Sequence, residues 1–276
     1  MTSLGVALAV DSRGPSGLYI ITDSRLTSSN GGIFDAGQKA FASSCSPDIF
    51  GFCGDAFLPP AILRQAIDQI SSGVLFSACL SSDTRHKLFV QLIRRTFSMQ
   101  IRMPIDSFSM FHGARDGALM ESKFRVWRTV ADFDKKSKII RWFDEELLLE
   151  AGNSYFAHLD GSGGSNIAAR GKEFDGTSAA RTSRAAIWSF CNALNEGKDR
   201  FSGGAPQLVG IWRKGDAKNF GFFWKGKPYV CGAEASIGNL LANVDWFNHR
   251  FERCDWRTGK RLLKAARHRD IIANNL

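Results

Sequence analysis

Two β-rich apolar runs, residues 4–10 and 18–22, flank SRGPSG, whose Gly and Pro content marks a hairpin turn. The chain therefore builds sheet from its first residues. The pattern that follows alternates between the two periodicities. IFGFCG reads as a buried strand ending in glycine, after which Pro59 and Pro60 suit the first turn of a helix. Helical spacing runs from Ala61 to Ile70 and again from about Asp83 to Met99. DSFSMFHGARDG, KFRVWRTVADFD and KIIRWFD are strand-like, as are residues 154–160. A further helix is expected from Thr177 to Asn195, and QLVGIWRKG with KNFGFFWKG closes the body as a hairpin. Strands, two helices, strands, one helix and strands again imply a layered α+β fold, sheets covered by helices.

No compositional linker divides the chain. Residues 1–232 are expected to form the main domain, and the basic, aromatic segment 233–276 a helical C-terminal extension. With 276 residues and 44% apolar content the chain can bury a large core, which excludes disordered and fibrous classes. No signal peptide is evident, and no apolar run approaches the ~18 residues of a membrane span. Six dispersed cysteines without a CxxC pair fit free thiols in the cytoplasm, and the five scattered histidines offer no metal-ligand spacing. The net charge of +9 raises nucleic-acid binding. Its spread over several segments, without zinc-finger, helix-turn-helix or RNP-like patterns, argues against that role.

Thr2 stands one residue from the start. If the bond before it is cut, its hydroxyl and a free α-amine share one residue, placing a nucleophile beside a base that titrates near about 8. Ser3 is a poorer nucleophile because its amine is held in a peptide bond. Further along lie ITDSR at 21–25, DAGQK at 35–39, the glycines around Gly54 and at Gly161–Gly164, and DRFSGG at 199–204. Each is weak individually: a DSR can cap a turn, a lysine after a loop is usually solvated, and GSGG lacks the strand-to-helix setting of a phosphate loop.

Taken together, in this order and spacing, they resemble the proteasome β-subunit family of N-terminal nucleophile hydrolases, which includes the HslV-type peptidases. The resemblance spans roughly residues 2–230. It rests on Thr2, on Asp23 followed sixteen residues later by Lys39, on the loop Gly161–Ser162–Gly163, and on Asp199–Arg200–Phe201–Ser202–Gly203–Gly204. The thirty-seven-residue spacing from Ser162 to Asp199 suits the family's intervening strand and long helix. The first hairpin is a few residues longer than the family's, and no long propeptide precedes Thr2, so methionine removal alone would expose it.

The resemblance implies a four-layer αββα sandwich and a threonine-type peptidase working through an acyl-enzyme. In that reading Thr2 is the nucleophile, Lys39 supplies positive charge, and Asp23 holds Lys39. The Gly54 N–H faces the oxyanion, while Ser162, Asp199 and Ser202 orient the new N-terminus and relay protons. Thr22, Thr27 and Cys53 are expected to shape the substrate pocket, where an extended peptide could add along a strand edge. No cofactor or metal is implied. The expected partners are a peptide or protein substrate, further copies in a homo-oligomer such as a ring, and in some members a separate ATPase. A non-peptide amide hydrolase and an inactive scaffold of the same fold are the alternatives.

Overall fold

The computed structural model describes residues 2–28, 31–99, 106–134, 136–235, 244–263 and 265. The opening hairpin is β1 (Leu4–Asp11) and β2 (Gly14–Thr22), paired antiparallel with Leu4 opposite Thr22. After the short β3 (Leu26–Thr27) and β4 (Ile33–Phe34) come β5 (Ala40–Ala42) and β6 (Asp48–Gly54). Helices α1 (Leu58–Ser71) and α2 (Ser82–Ser98) follow. The middle of the chain forms β7 (Phe108–Asp116), β8 (Lys123–Asp134), β9 (Ile139–Glu146) and β10 (Tyr155–Asp160). Helices α3 (Gly164–Lys172) and α4 (Ser183–Glu196) precede β11 (Gln207–Trp212), β12 (Lys218–Trp224), β13 (Lys227–Val230), β14 (Ala233–Glu234) and β15 (Trp246–Asn248).

The result is a mixed α+β fold with two major sheets flanked by helices. The larger has the order β10-β1-β2-β11-β12-β13-β14 with β15 also on β12, and the smaller the order β5-β6-β7-β8-β9. Strand alternation explains the packing, because successive side chains point to opposite faces. Leu4, Val6 and Leu8 of β1, with Leu18 and Ile20 of β2, enter a core they share with Ile49, Phe111 and Val126 of the smaller sheet. Ala7, Ala9, Tyr19 and Ile21, the alternate positions, join Ile187, Phe190 and Leu194 of α4 instead. On the smaller sheet Phe50, Phe52 and Met110 pack against Ile62 and Leu63 of α1 and Phe89 and Ile93 of α2. Both faces of the first hairpin are therefore buried, which pins its register.

Local chemistry sets the helix ends. The Asp55 carboxylate accepts from the N–H groups of Phe57 and Leu58 at 2.8 Å each, satisfying donors that the start of α1 leaves open, with prolines in its first turn. Ser81 caps α2 and Thr182 caps α4 through their side-chain oxygens, each worth about 1 kcal/mol.

Two expectations fail. Between Ser162 and Asp199 there is no intervening strand but a pair of helices, and α4 starts at Ser183, because residues 177–182 form turns closed by Thr177 and Thr182. After Gly232 no described residue is helical. Instead β15 runs parallel to β12, and Phe247 and Phe251 pack beside α4's core residues. Aromatic burial against the sheet, rather than helical periodicity, organises residues 244–263. The expected tail helix otherwise falls on positions 236–243, 264 and 266–276, outside the described residues. Among the described residues no helix is long and apolar enough to cross a membrane.

Candidate active site

Thr2 sits two residues before β1, Asp23 directly after β2, and Lys39 directly before β5. The hairpin register that pairs Leu4 with Thr22 fixes Thr2 beside Asp23, and the second sheet brings in Lys39 from the facing side. The Thr2 hydroxyl donates to Asp23 Oδ1 at 2.9 Å and accepts from Lys39 Nζ. Lys39 Nζ also donates to Asp23 Oδ1, at 2.8 Å, with 1% and 0% of the two side chains exposed. Both oxygens of the Asp23 carboxylate are further engaged by backbone: the Ser3 N–H donates to Oδ1 at 3.0 Å, and the N–H groups of Arg25 and Gly203 donate to Oδ2 at 3.0 and 2.9 Å. Such hydrogen bonding is what lets a charge pair persist out of water.

A second cluster adjoins the first through Ser3. Ser162 and Ser202 donate to Asp199 Oδ2 at 2.6 and 2.7 Å, and the hydroxyls of Ser202 and Ser3 are 2.7 Å apart. Burial alone would raise the Asp199 pKa. The hydrogen bonds from both serines and from the Phe201 N–H outweigh it, and the carboxyl is held below its ordinary value.

Gly161 explains why glycine stands in this loop. Its φ is +84°, and a Cβ there would lie 1.8 Å from the Thr2 carbonyl oxygen and 2.9 Å from Cys53 Sγ. Any side chain would push the loop off the N-terminal residue. Gly54 closes β6 with a φ of +108°, and its Cβ would meet the Ser107 carbonyl at 2.3 Å.

The expected pocket residues separate. Thr27 lines a cleft of about 480 Å³ with Ile33, Phe34, Asp55 and Phe57, immediately after Gly54 in the chain. Thr22 is wholly buried in β2, and its hydroxyl has no hydrogen-bond partner among the described residues. Cys53 is buried against Gly161, and desolvation followed by the nearby Asp160 pushes its thiol up to about 12.

The sequence reading missed the residues that hold these groups in register. Gln207, a buried amide in the otherwise apolar start of β11, accepts from the Lys39 N–H at 3.0 Å. It donates to Gly37 O at 2.7 Å, to Ser24 Oγ at 2.9 Å and to Asp23 O at 3.3 Å. One side chain thus ties the Asp23 segment to the Lys39 segment. Arg25 does the same from outside, forking onto Asp35 at 2.6 and 2.8 Å while donating to Arg200 O at 2.9 Å. A glutamine opening an apolar strand and the arginine of ITDSR were the available signals.

No family model matches this chain, and no curated protein does. Among solved structures, the eukaryotic HslV from Trypanosoma brucei is similar with a TM-score of 0.44 and 12% identity, covering 77% of this chain and 99% of that one.

Proposed function

We propose that this chain is a threonine-type amide hydrolase that cleaves peptide bonds, with Thr2 as nucleophile once the bond before it has been cut. The observation that carries the proposal is the contact of one hydroxyl with a fully buried lysine and its aspartate partner. A buried, hydrogen-bonded Lys–Asp pair is costly to assemble, and aiming it at a threonine hydroxyl has a chemical use. The four-layer αββα arrangement belongs to the same proposal, supported by cores on the outer face of each sheet and a third between them.

In this mechanism the freed Thr2 amine takes the Oγ proton, directly or through one water, as Oγ bonds to the carbonyl carbon. Lys39 favours the developing alkoxide electrostatically, and Asp23 keeps the ammonium aimed. The backbone N–H of Gly54 is the proposed oxyanion donor, a bond of a kind worth about 3 kcal/mol in the transition state. Collapse of the tetrahedral species breaks the C–N bond. The leaving amine receives the proton from the Thr2 ammonium, with Ser162, Ser202 and Asp199 holding that group in place. Water then attacks the ester, the same amine serving as base. Substrate would lie along the cleft beside Thr27 and Phe57.

The test is turnover of fluorogenic peptides by the wild type, Thr2→Ser and Thr2→Ala. Retained activity in Thr2→Ser and none in Thr2→Ala supports the reading. Equal activity in wild type and Thr2→Ala overturns it.

A further inference from the structure

Strand β9 is the last strand of the smaller sheet, and among the described residues nothing pairs with its outer edge. It contains no proline and no register shift against β8, so its backbone can pair with another strand, and its charged residues Arg141, Asp144, Glu145 and Glu146 restrict which strand it accepts. Its even-numbered side chains are occupied: Trp142 packs edge-on to Phe97 at 5.3 Å, and Asp144 meets His86 of α2 at 3.2 Å. The odd-numbered ones, on the opposite face, are exposed and include Ile139 and Phe143 at 56% and 54%.

We propose that this edge docks β9 of a second copy of the chain, antiparallel, about a two-fold axis through Phe143. The sequence selects that register by charge. With Phe143 opposite the partner's Phe143, Arg141 lies opposite the partner's Glu145, and symmetry makes that pair twice. Sliding by one two-residue step sets either Asp144 against Asp144 or Trp142 against Trp142 with no ion pair. The next step sets Arg141 against Arg141. Only the centred register matches opposite charges.

The neighbouring strand extends the match. Within the chain, β8 sets Arg128 opposite Glu145, Val130 opposite Phe143 and Asp132 opposite Arg141. Arg128 already meets Glu145 at 3.3 Å. Across the joined sheets one row would read Arg128, Glu145, the partner's Arg141, the partner's Asp132, alternating in sign at every step. The central row would be apolar, Val130 and Phe143 from each copy. Pairing would also satisfy the open N–H and C=O groups of the edge. None of these side chains belongs to the site around Thr2, so the inference stands apart from the proposed chemistry.

Sedimentation velocity of the full chain across a concentration series tests it. The wild type should dimerise, while Arg141→Glu and Glu145→Lys, each placing like charges opposite one another twice, should weaken the dimer at least about tenfold. An equimolar mixture of the two variants should dimerise again, because in the mixed pair each reversed charge meets the opposite sign. Circular dichroism checks that both variants fold. A monomeric wild type, an assembly indifferent to both substitutions, or a mixture no tighter than either variant alone would overturn the proposal.

Discussion

Lys39 Nζ lies 2.8 Å from Asp23 Oδ1 with both side chains sealed from solvent, and the same lysine nitrogen contacts the Thr2 hydroxyl. The pair links two segments that are also connected by Gln207, by the Arg25–Asp35 pair and by sheet packing. Its value to the fold and its value to the chemistry can be measured separately.

Asp23→Ala should destabilise the protein by about 3–5 kcal/mol, because it strands a buried ammonium and three backbone N–H donors. Adding Lys39→Met to Asp23→Ala should recover part of that loss, since the unpaired charge goes with it. Urea unfolding of the two variants checks this. A double variant less stable than Asp23→Ala would contradict the buried-pair account.

Lys39→Met alone should leave substrate affinity within a few fold while lowering kcat by about 100-fold or more, since the charge acts on the developing alkoxide. Steady-state kinetics on a peptide substrate separates the two. A rise in KM with unchanged kcat would assign Lys39 to binding instead.

Stability should fall on mild acidification for a reason remote from the site. His112 is fully buried beside Asp48, donating Nε2–H to its Oδ1 at 2.9 Å, and Arg85 Nε reaches the same oxygen at 3.0 Å. Its Nδ1 faces His86, whose other nitrogen faces Asp144. Desolvation outweighs the pull of Asp48 and lowers His112 from 6.5 to about 4. The unfolded chain therefore binds a proton below pH 6.5 that the folded chain refuses until about 4, and stability drops across that window by roughly 3 kcal/mol. Asp48, itself held below its usual value against burial mainly by His112, adds a loss at still lower pH. Denaturant unfolding at pH 7 and 4.5 should show the drop, with a much smaller one in His112→Asn. Equal slopes in the two proteins would contradict it.

Thiol reagents should distinguish the cysteines. Cys45 and Cys79 are exposed, whereas Cys53 and Cys191 are buried and burial pushes both thiols up. Brief maleimide treatment at neutral pH should label the first two and spare Cys53 until the chain unfolds. Rapid native labelling of Cys53 would mean that the loop at Gly161 opens.

The longer strands were legible because their apolar runs are bounded by turn residues, and Asp23 and Lys39 stood out because each flanks a strand within a short motif. Helix α3 was not: its only buried residues are Gly164 and Ile167, and glycines at 164 and 171 blur the 3.6-residue period. The segment around β15 was misread because clustered aromatics and basic residues carry no period of their own; its place depends on β12, twenty-odd residues earlier. Gln207 and Arg25 act across 168 and 10 residues of sequence respectively, so their roles appear only once the sheets are assembled.

The central claim is that Thr2 becomes an N-terminal nucleophile poised by Lys39. Intact mass and N-terminal sequencing of the purified protein, before and after exposure to a peptide epoxyketone, test it most directly. The account expects a chain that begins at Thr2 and gains one adduct mapped to that residue, with labelling lost in Lys39→Met. A chain that begins at Thr2, remains folded and takes up no adduct would contradict it.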